Sequence, residues 1–131
     1  MKKRIIGLIT FFLLLTAFSA FPKGAPAQPK KIDKKGEKLA KQGDQFYNKK
    51  DYRSAINKYA EAISIAPNYP EAHFWKGYAH RHLKEYDEAL LELDTAYNQG
   101  YEPLEVYKIR LFVNLQKENY DAAFKDAQQG A

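Results

Sequence analysis

The sequence predicts an all-α fold, namely an α-solenoid of about three helix-turn-helix repeats of which the last is uncapped. The main observation is internal repetition, because a shift of 34 residues aligns Gly43 with Gly77. The same shift aligns two further sets of positions in three copies, which are Tyr52, Tyr86 and Tyr120, and Ala55, Ala89 and Ala123. A second observation is that each copy carries two helical stretches separated by a turn. A period in this range is typical of solenoid proteins.

Small and aromatic residues of the first repeat predict two helices that pack closely. Gly43 and Ala55 lack bulk, so the two backbones can approach each other. Phe46 and Tyr59 are suited to fill the space around that contact. Pro67 is predicted to end the second helix, because proline has no N–H and its ring clashes with the preceding turn. The repeat is therefore expected to form a helical hairpin.

This pattern resembles the tetratricopeptide repeat (TPR) family. The positions that carry the resemblance are Leu39, Gly43, Phe46, Ala55, Tyr59, Ala62 and Pro67. It covers residues 36–131, about three quarters of the chain. The resemblance implies repeats at 36–69, 70–102 and 103–131, with the first helix of each repeat facing a concave groove that binds peptides. Together with the N-terminus described below, it indicates a TPR protein of exported bacterial type.

The ends of six helices can be predicted within these repeats. They are expected at 37–48, 52–65, about 70–83, about 86–98, 103–116 and 120–129. Asp51 is placed to cap the second helix with its carboxylate. Pro70 and Pro103 suit the first turns of the third and fifth helices, and Gly100 is a suitable stop for the fourth.

The third repeat departs from the pattern. Leu111 replaces the close-packing glycine and Asn114 replaces the aromatic residue, so the sequence leaves the spacing of this hairpin open. The last helix leaves Phe124 and Ala127 uncovered, whereas the ends of solenoids need a polar cap. Either the natural sequence extends further, or this face contacts a partner or a second copy of the chain.

Residues 1–27 are predicted to be a signal peptide, with an uncleaved membrane anchor as the alternative. Three basic residues precede an apolar run at 5–21, followed by small residues. A run of 17 residues is near the short limit for crossing a bilayer, so a membrane tether through 5–21 stays open. Residues 28–35 are predicted to be a Pro/Lys-rich linker. Both alternatives predict an extracytoplasmic location, either periplasmic or secreted, with inner-membrane anchoring in the second case.

Composition argues against several classes of function. The chain contains 21 basic and 16 acidic residues, but from residue 36 onward there are 13 basic and 15 acidic residues, a net charge of −2. A basic surface for nucleic acid is therefore not expected. The chain has no cysteine, which excludes disulfides and a lipidated cysteine.

Catalytic and metal-binding motifs are also missing from the sequence. It contains neither a G-x-S-x-G turn nor a G-x-x-x-x-G-K phosphate loop. His73 and His80 are about two helical turns apart, and no carboxylate or cysteine joins them at the spacing of metal ligands. His80 takes the place of Phe46 in the first repeat, which predicts a packing role. We expect no enzyme activity, no cofactor and no metal site.

A concave groove for another protein is the remaining candidate site. Transferred by register from the resemblance, it contains side chains three or four residues apart on the first helix of each repeat. Its predicted binding residues are Tyr47, Phe74, Tyr78, Arg81, Lys108 and Phe112. Aromatic residues together with arginine are favoured at binding hot spots. The alternative is that Phe74 or Phe112 packs between neighbouring repeats.

Some TPR proteins hold the C-terminal carboxylate of a partner with lysine, asparagine and arginine side chains in this groove. The corresponding residues here are Ala40, Asp44, Trp75, Glu105 and Ile109. This carboxylate clamp is therefore missing, and a receptor for chaperone tails is not expected.

The combined prediction is a protein-binding adaptor or scaffold in the cell envelope whose partner is a peptide segment or helix of another protein. Two alternatives stay open. The chain could be the N-terminal recruiting part of a larger exported enzyme, or a self-assembly module that forms homo-oligomers through Phe124 and Ala127.

Overall fold

Residues 31–131 are described by a computed structural model, and six α-helices account for most of them. The helices are α1 (Lys34–Asn48), α2 (Tyr52–Ile65), α3 (Pro70–His82), α4 (Tyr86–Asn98), α5 (Pro103–Gln116) and α6 (Tyr120–Gln129). No strand occurs in this part of the chain. Each odd-numbered helix packs against the even-numbered helix that follows it, and α2 and α4 also pack against the next hairpin. The prediction of an all-α solenoid of three helical hairpins is confirmed.

The start of α1 differs from the predicted start at residue 37. Asp33 caps the helix, since its Oδ1 accepts a hydrogen bond from the backbone N of Lys35 at 2.8 Å. Ile32 already packs against the core of the first repeat. The predicted linker at 28–35 is therefore too long at its C-terminal end. The predicted signal segment at 1–27 lies outside the described residues.

The turns inside the three hairpins share one geometry. Lys50, Lys84 and Glu118 have φ values of 62°, 60° and 58° at equivalent positions. After two of these turns the next residue caps the helix as a side-chain acceptor: Asp51 binds the N–H of Ser54 at 3.2 Å, and Asn119 caps α6 in the same way. The sequence-based prediction of the Asp51 cap is confirmed. The 34-residue repeat therefore extends to the backbone of all three hairpins.

Contact between α1 and α2 depends on the pairing of Gly43 with Tyr59. A Cβ atom on Gly43 would lie 2.6 Å from Cε1 of Tyr59, so only glycine fits beneath this ring. Tyr59 is 1% exposed and packs with Ala55 and Ala62, which are fully buried. In the second hairpin, a Cβ on Gly77 would lie 3.0 Å from the backbone oxygen of Ala89. The predicted close approach of the backbones is present in both hairpins.

A polar pair replaces the aromatic position in the third hairpin. Asn114 and Asp126 are 2% and 3% exposed, and Nδ2 of Asn114 donates to the Asp126 carboxylate at 2.9 Å. Arg110 approaches the other oxygen of Asp126 at 3.1 Å and Asp94 of α4 at 3.0 Å. These contacts hold α5, α6 and α4 together with hydrogen bonds where the earlier repeats use an aromatic ring or an imidazole.

Two histidines of α3 are held by carboxylates. The Glu92 carboxylate accepts a hydrogen bond from Nδ1 of His73 at 2.6 Å and another from Nζ of Lys76 at 2.7 Å. Nδ1 of His80 lies 2.7 Å from the Glu85 carboxylate, which also pairs with Arg53 of the first repeat. His80 is 8% exposed, so it packs in the predicted aromatic position and adds an ionic link between repeats.

Candidate partner-binding groove

Aromatic side chains of α1 and α3 form the central part of the groove. The rings of Tyr47 and Tyr78 stack with centroids 5.7 Å apart and an interplanar angle of 26°. Trp75 meets Tyr47 edge to face at 5.4 Å. Because these side chains belong to the first helices of successive repeats, their contact joins two repeats into one continuous surface.

Arg81 extends this surface from α3 to α5. Its guanidinium carbon lies 5.0 Å from the ring centroid of Tyr78 and 4.1 Å from that of Phe112. Such stacking of arginine on aromatic rings is favourable by about 0.5–2 kcal/mol, with the higher value at desolvated sites. Phe112 is still 39% exposed. The structure thus brings Tyr47, Tyr78, Arg81 and Phe112 together, as the sequence predicted.

Phe74 and Lys108 occupy different environments from the other predicted residues. Phe74 is 4% exposed and stacks on Tyr101 at 4.3 Å, so it supports the groove from below and matches the packing alternative. Lys108 is exposed and pairs with Glu105 of its own helix at 2.9 Å. It lies on the same helix as Phe112 and offers a charge at the rim of the groove.

Tyr52 and His82 belong to this aromatic cluster although the sequence analysis did not select them. Their rings stack at 4.4 Å with an interplanar angle of 2°. The Tyr47 hydroxyl is hydrogen-bonded to Nε2 of His82 at 2.9 Å. Burial, followed by the nearby Arg81, lowers the pKa of His82 below its ordinary value of 6.5. The spacing of Trp75, Tyr78 and His82 along α3 is the sequence signal that could have indicated this cluster.

A cavity of about 270 Å³ opens beside the aromatic cluster, between α1 and α3. Its lining residues are Asp44, Tyr47, Asn48, Tyr59, Glu71 and Trp75. The Tyr59 hydroxyl donates to Oδ1 of Asp44 at 2.7 Å and thereby fixes this carboxylate. Two carboxylates and three aromatic rings therefore face the same space.

The side chains at the five positions of the carboxylate clamp supply no cation to the groove. Ala40 is 6% exposed, and Ile109 packs against the core of the second repeat. Asp44 and Glu105 bring negative charge instead. Trp75 is part of the aromatic cluster. A carboxylate placed at these positions would be repelled rather than held.

Comparison with known proteins agrees with this architecture. Residues 43–83 match a family model described as TPR repeat. The structure is similar to the first TPR of Spaghetti (RPAP3) bound to the HSP90 peptide SRMEEVD, with a TM-score of 0.70 and 19% identity over 76% of this chain and 79% of that one. The chain has the TPR fold. The match of the family model supports membership of the TPR repeat family.

Two curated proteins are related in sequence to this TPR chain. The small glutamine-rich tetratricopeptide repeat-containing protein 2 of Saccharomyces cerevisiae is 33% identical over 121 residues, which covers 72% of this chain and 35% of the yeast protein. The Hsp70-Hsp90 organising protein of Plasmodium falciparum is 34% identical over 99 residues, covering 69% of this chain and 17% of that protein. The TPR chain thus spans about a third and a sixth of their lengths. Neither name denotes an enzyme.

These relatives contradict the predicted extracytoplasmic location. Both are eukaryotic TPR proteins, one of them named for organising Hsp70 and Hsp90, and neither supports an exported bacterial type. In residues 31–131 no helix is long and apolar enough to span a bilayer. The location was inferred from charge and hydropathy in residues 1–27 alone. Such a pattern indicates affinity for membranes but does not identify a compartment.

The outer face of α6 exposes large apolar side chains. Tyr120 is 65% exposed and Phe124 is 64% exposed, with Ala127 on the same helix also exposed. The geometry therefore leaves the predicted self-association face accessible. Self-assembly through Phe124 and Ala127 stays a prediction.

Proposed function

We propose that this TPR chain is a protein–protein adaptor that binds a segment of another protein in the groove formed by α1, α3 and α5. The observation that carries the proposal is the continuous surface from Tyr47 through Tyr78 and Arg81 to Phe112, which crosses all three repeats. The similar TPR structure with a bound HSP90 peptide supports a peptide as the ligand.

Binding in this groove requires only non-covalent contacts. The rings of Tyr78 and Phe112 offer apolar area to a partner, while Arg81 between them offers hydrogen-bond donors at its edge. Rigid aromatic side chains lose little conformational entropy on binding, because their rings are already held by neighbours. We therefore assign the main binding energy to Tyr78, Arg81 and Phe112, with Tyr47 as a lateral contact. Phe74 supports them from below and Lys108 acts at the rim.

A selection of random 12-residue peptides displayed on phage, with the full chain as bait, tests the proposal. Peptides enriched on the wild type should bind the Tyr78→Ala/Phe112→Ala double variant at least tenfold more weakly, since hot-spot residues contribute about 2 kcal/mol or more each. Direct titration of the synthetic peptides measures this difference, and circular dichroism verifies that the variant keeps its helices.

The matched control is the Leu91→Ala/Tyr120→Ala double variant. Leu91 and Tyr120 are 66% and 65% exposed on α4 and α6, so the control removes more accessible apolar surface outside the groove. It should bind the selected peptides as the wild type does. Equal binding by the groove variant and the wild type would refute the assignment of the groove.

A further inference from the structure

We propose that the end of the groove between α1 and α3 accepts a cationic side chain, so that the bound protein segment carries a lysine or arginine at that point. This inference rests on the proposed function, because it specifies the chemistry of the segment. Its basis is the cavity lined by Asp44, Glu71 and aromatic rings.

The size of the cavity fits one side chain. Its volume of about 270 Å³ lies just below the range of about 300–1,000 Å³ that is usual for pockets holding small organic ligands. A smaller recess of about 20 Å³ adjoins it and is also lined by Asp44 and Glu71. Both carboxylates therefore face the region that an entering side chain would occupy.

Charge in this cavity is negative and uncompensated. Its lining contains no lysine, arginine or histidine. The ion pairs within residues 31–131 use other carboxylates than those of Asp44 and Glu71. The N-terminus of α3 beside Glu71 carries only a partial positive charge, and Arg81 is stacked between Tyr78 and Phe112. An incoming cation would thus meet two carboxylates with no cation of this chain paired to them.

Aromatic walls complete a site for an organic cation. Trp75 and Tyr47 line the cavity and meet edge to face at 5.4 Å, so their surfaces lie in different orientations around it. A lysine ammonium or an arginine guanidinium gains from the face of an aromatic ring, most strongly from tryptophan. In the described residues no group of three or more His, Cys, Asp or Glu could hold a metal ion. The combination of rings and carboxylates favours a side-chain cation of a partner.

Neighbouring tyrosines support the sign of the charge. Burial, followed by the carboxylate of Asp44, raises the pKa of the Tyr59 hydroxyl above its ordinary value of 10.0. Burial and then the charge of Glu71 raise the pKa of Tyr69 in the same direction. Both hydroxyls are therefore in a region of negative potential.

Trp75 provides a direct readout, because it is the single tryptophan in the chain. Peptides obtained from the phage selection would be resynthesised with each lysine or arginine replaced by norleucine and titrated against the full chain by tryptophan fluorescence. We expect the selected peptides to be rich in lysine or arginine, and we expect one replacement to weaken binding at least tenfold. The acidic peptide SRMEEVD is expected to bind at least tenfold more weakly than the basic peptides.

The Asp44→Asn/Glu71→Gln double variant identifies the cavity as the origin of this preference. Both substitutions keep the shape, and asparagine can still accept the hydrogen bond from Tyr59. In this variant the norleucine replacement should weaken binding less than threefold. The control Glu88→Gln, which removes a charge from an exposed residue of α4, should keep the full tenfold effect.

The outcomes separate this inference from the proposed function. Peptides that depend on Tyr78 and Phe112 but lack cations, or whose norleucine replacement has the same effect in the wild type and the double variant, would overturn the inference and leave the proposed function intact. Equal or tighter binding of SRMEEVD would also overturn it. If no peptide depended on Tyr78 and Phe112, both proposals would fail.

Discussion

Replacement of Tyr59 by alanine is expected to lower the free energy of unfolding by about 4 kcal/mol, because truncation of a buried aromatic residue costs about 3–5 kcal/mol. Tyr59 is 1% exposed, its ring covers Gly43, and its hydroxyl donates to Asp44. Chemical denaturation of the full chain followed by circular dichroism measures the change. Tyr120→Ala serves as the control on the exposed face of α6 and should change stability by less than about 0.5 kcal/mol.

A double-mutant cycle with Gly43→Ala tests the geometry behind this value. In the wild type the new Cβ would lie 2.6 Å from Cε1 of Tyr59, so the substitution should cost about 2 kcal/mol. In the Tyr59→Ala background the clash disappears, and alanine should stabilise α1 by about 1 kcal/mol through its helix propensity. The same effect of Gly43→Ala in both backgrounds would contradict the packing of these two residues.

Glu92→Gln is expected to destabilise the second hairpin by about 2 kcal/mol. The side chain of Glu92 is 12% exposed and binds both His73 and Lys76, whose own side chains are 11% and 19% exposed. Removing one partner of a buried ion pair costs about 3–5 kcal/mol. The glutamine oxygen still accepts one hydrogen bond, which reduces the loss. Denaturation curves at neutral pH measure it.

The pH dependence of this effect has a defined sign. Burial by itself would raise the pKa of Glu92, but the hydrogen bonds from His73 and Lys76 outweigh it and hold the pKa below its ordinary value of 4.5. The stabilisation is therefore fully present above pH 4.5 and is lost as the pH falls through the pKa of the folded state. The stability difference between the wild type and Glu92→Gln should narrow below that pH. A constant difference would contradict the ionic role, and the Glu88→Gln variant controls for loss of charge at an exposed site.

The helical framework was predictable because each of its ends depends on local chemistry. Asp51 caps α2, Pro70 and Pro103 start α3 and α5, and Gly100 follows the end of α4 with φ at 91°. These features act within one turn of the chain, so the sequence alone contains them. The start of α1 was placed too late because Asp33 and the packing of Ile32 lie outside the repeated pattern.

The groove was less predictable because it depends on contacts between repeats. Phe74 appeared to be a groove residue from its register, but Tyr101 stacks on it and buries it. Tyr101 occupies the position equivalent to Pro67 of the first repeat, so the repeat pattern predicts no aromatic residue there. His80 was expected to pack, and its contact with Glu85 became visible only once α3 and α4 were placed side by side.

Site-specific photocrosslinking tests the central claim most directly, because it measures proximity rather than loss of binding. A benzoylphenylalanine would replace Phe112 in the groove or Leu91 on α4, and each full-length variant would be irradiated with a peptide from the phage selection. The account predicts a crosslinked peptide with the Phe112 variant and none with the Leu91 variant. A crosslink at position 91 equal to or stronger than that at 112 would contradict binding in the groove of α1, α3 and α5.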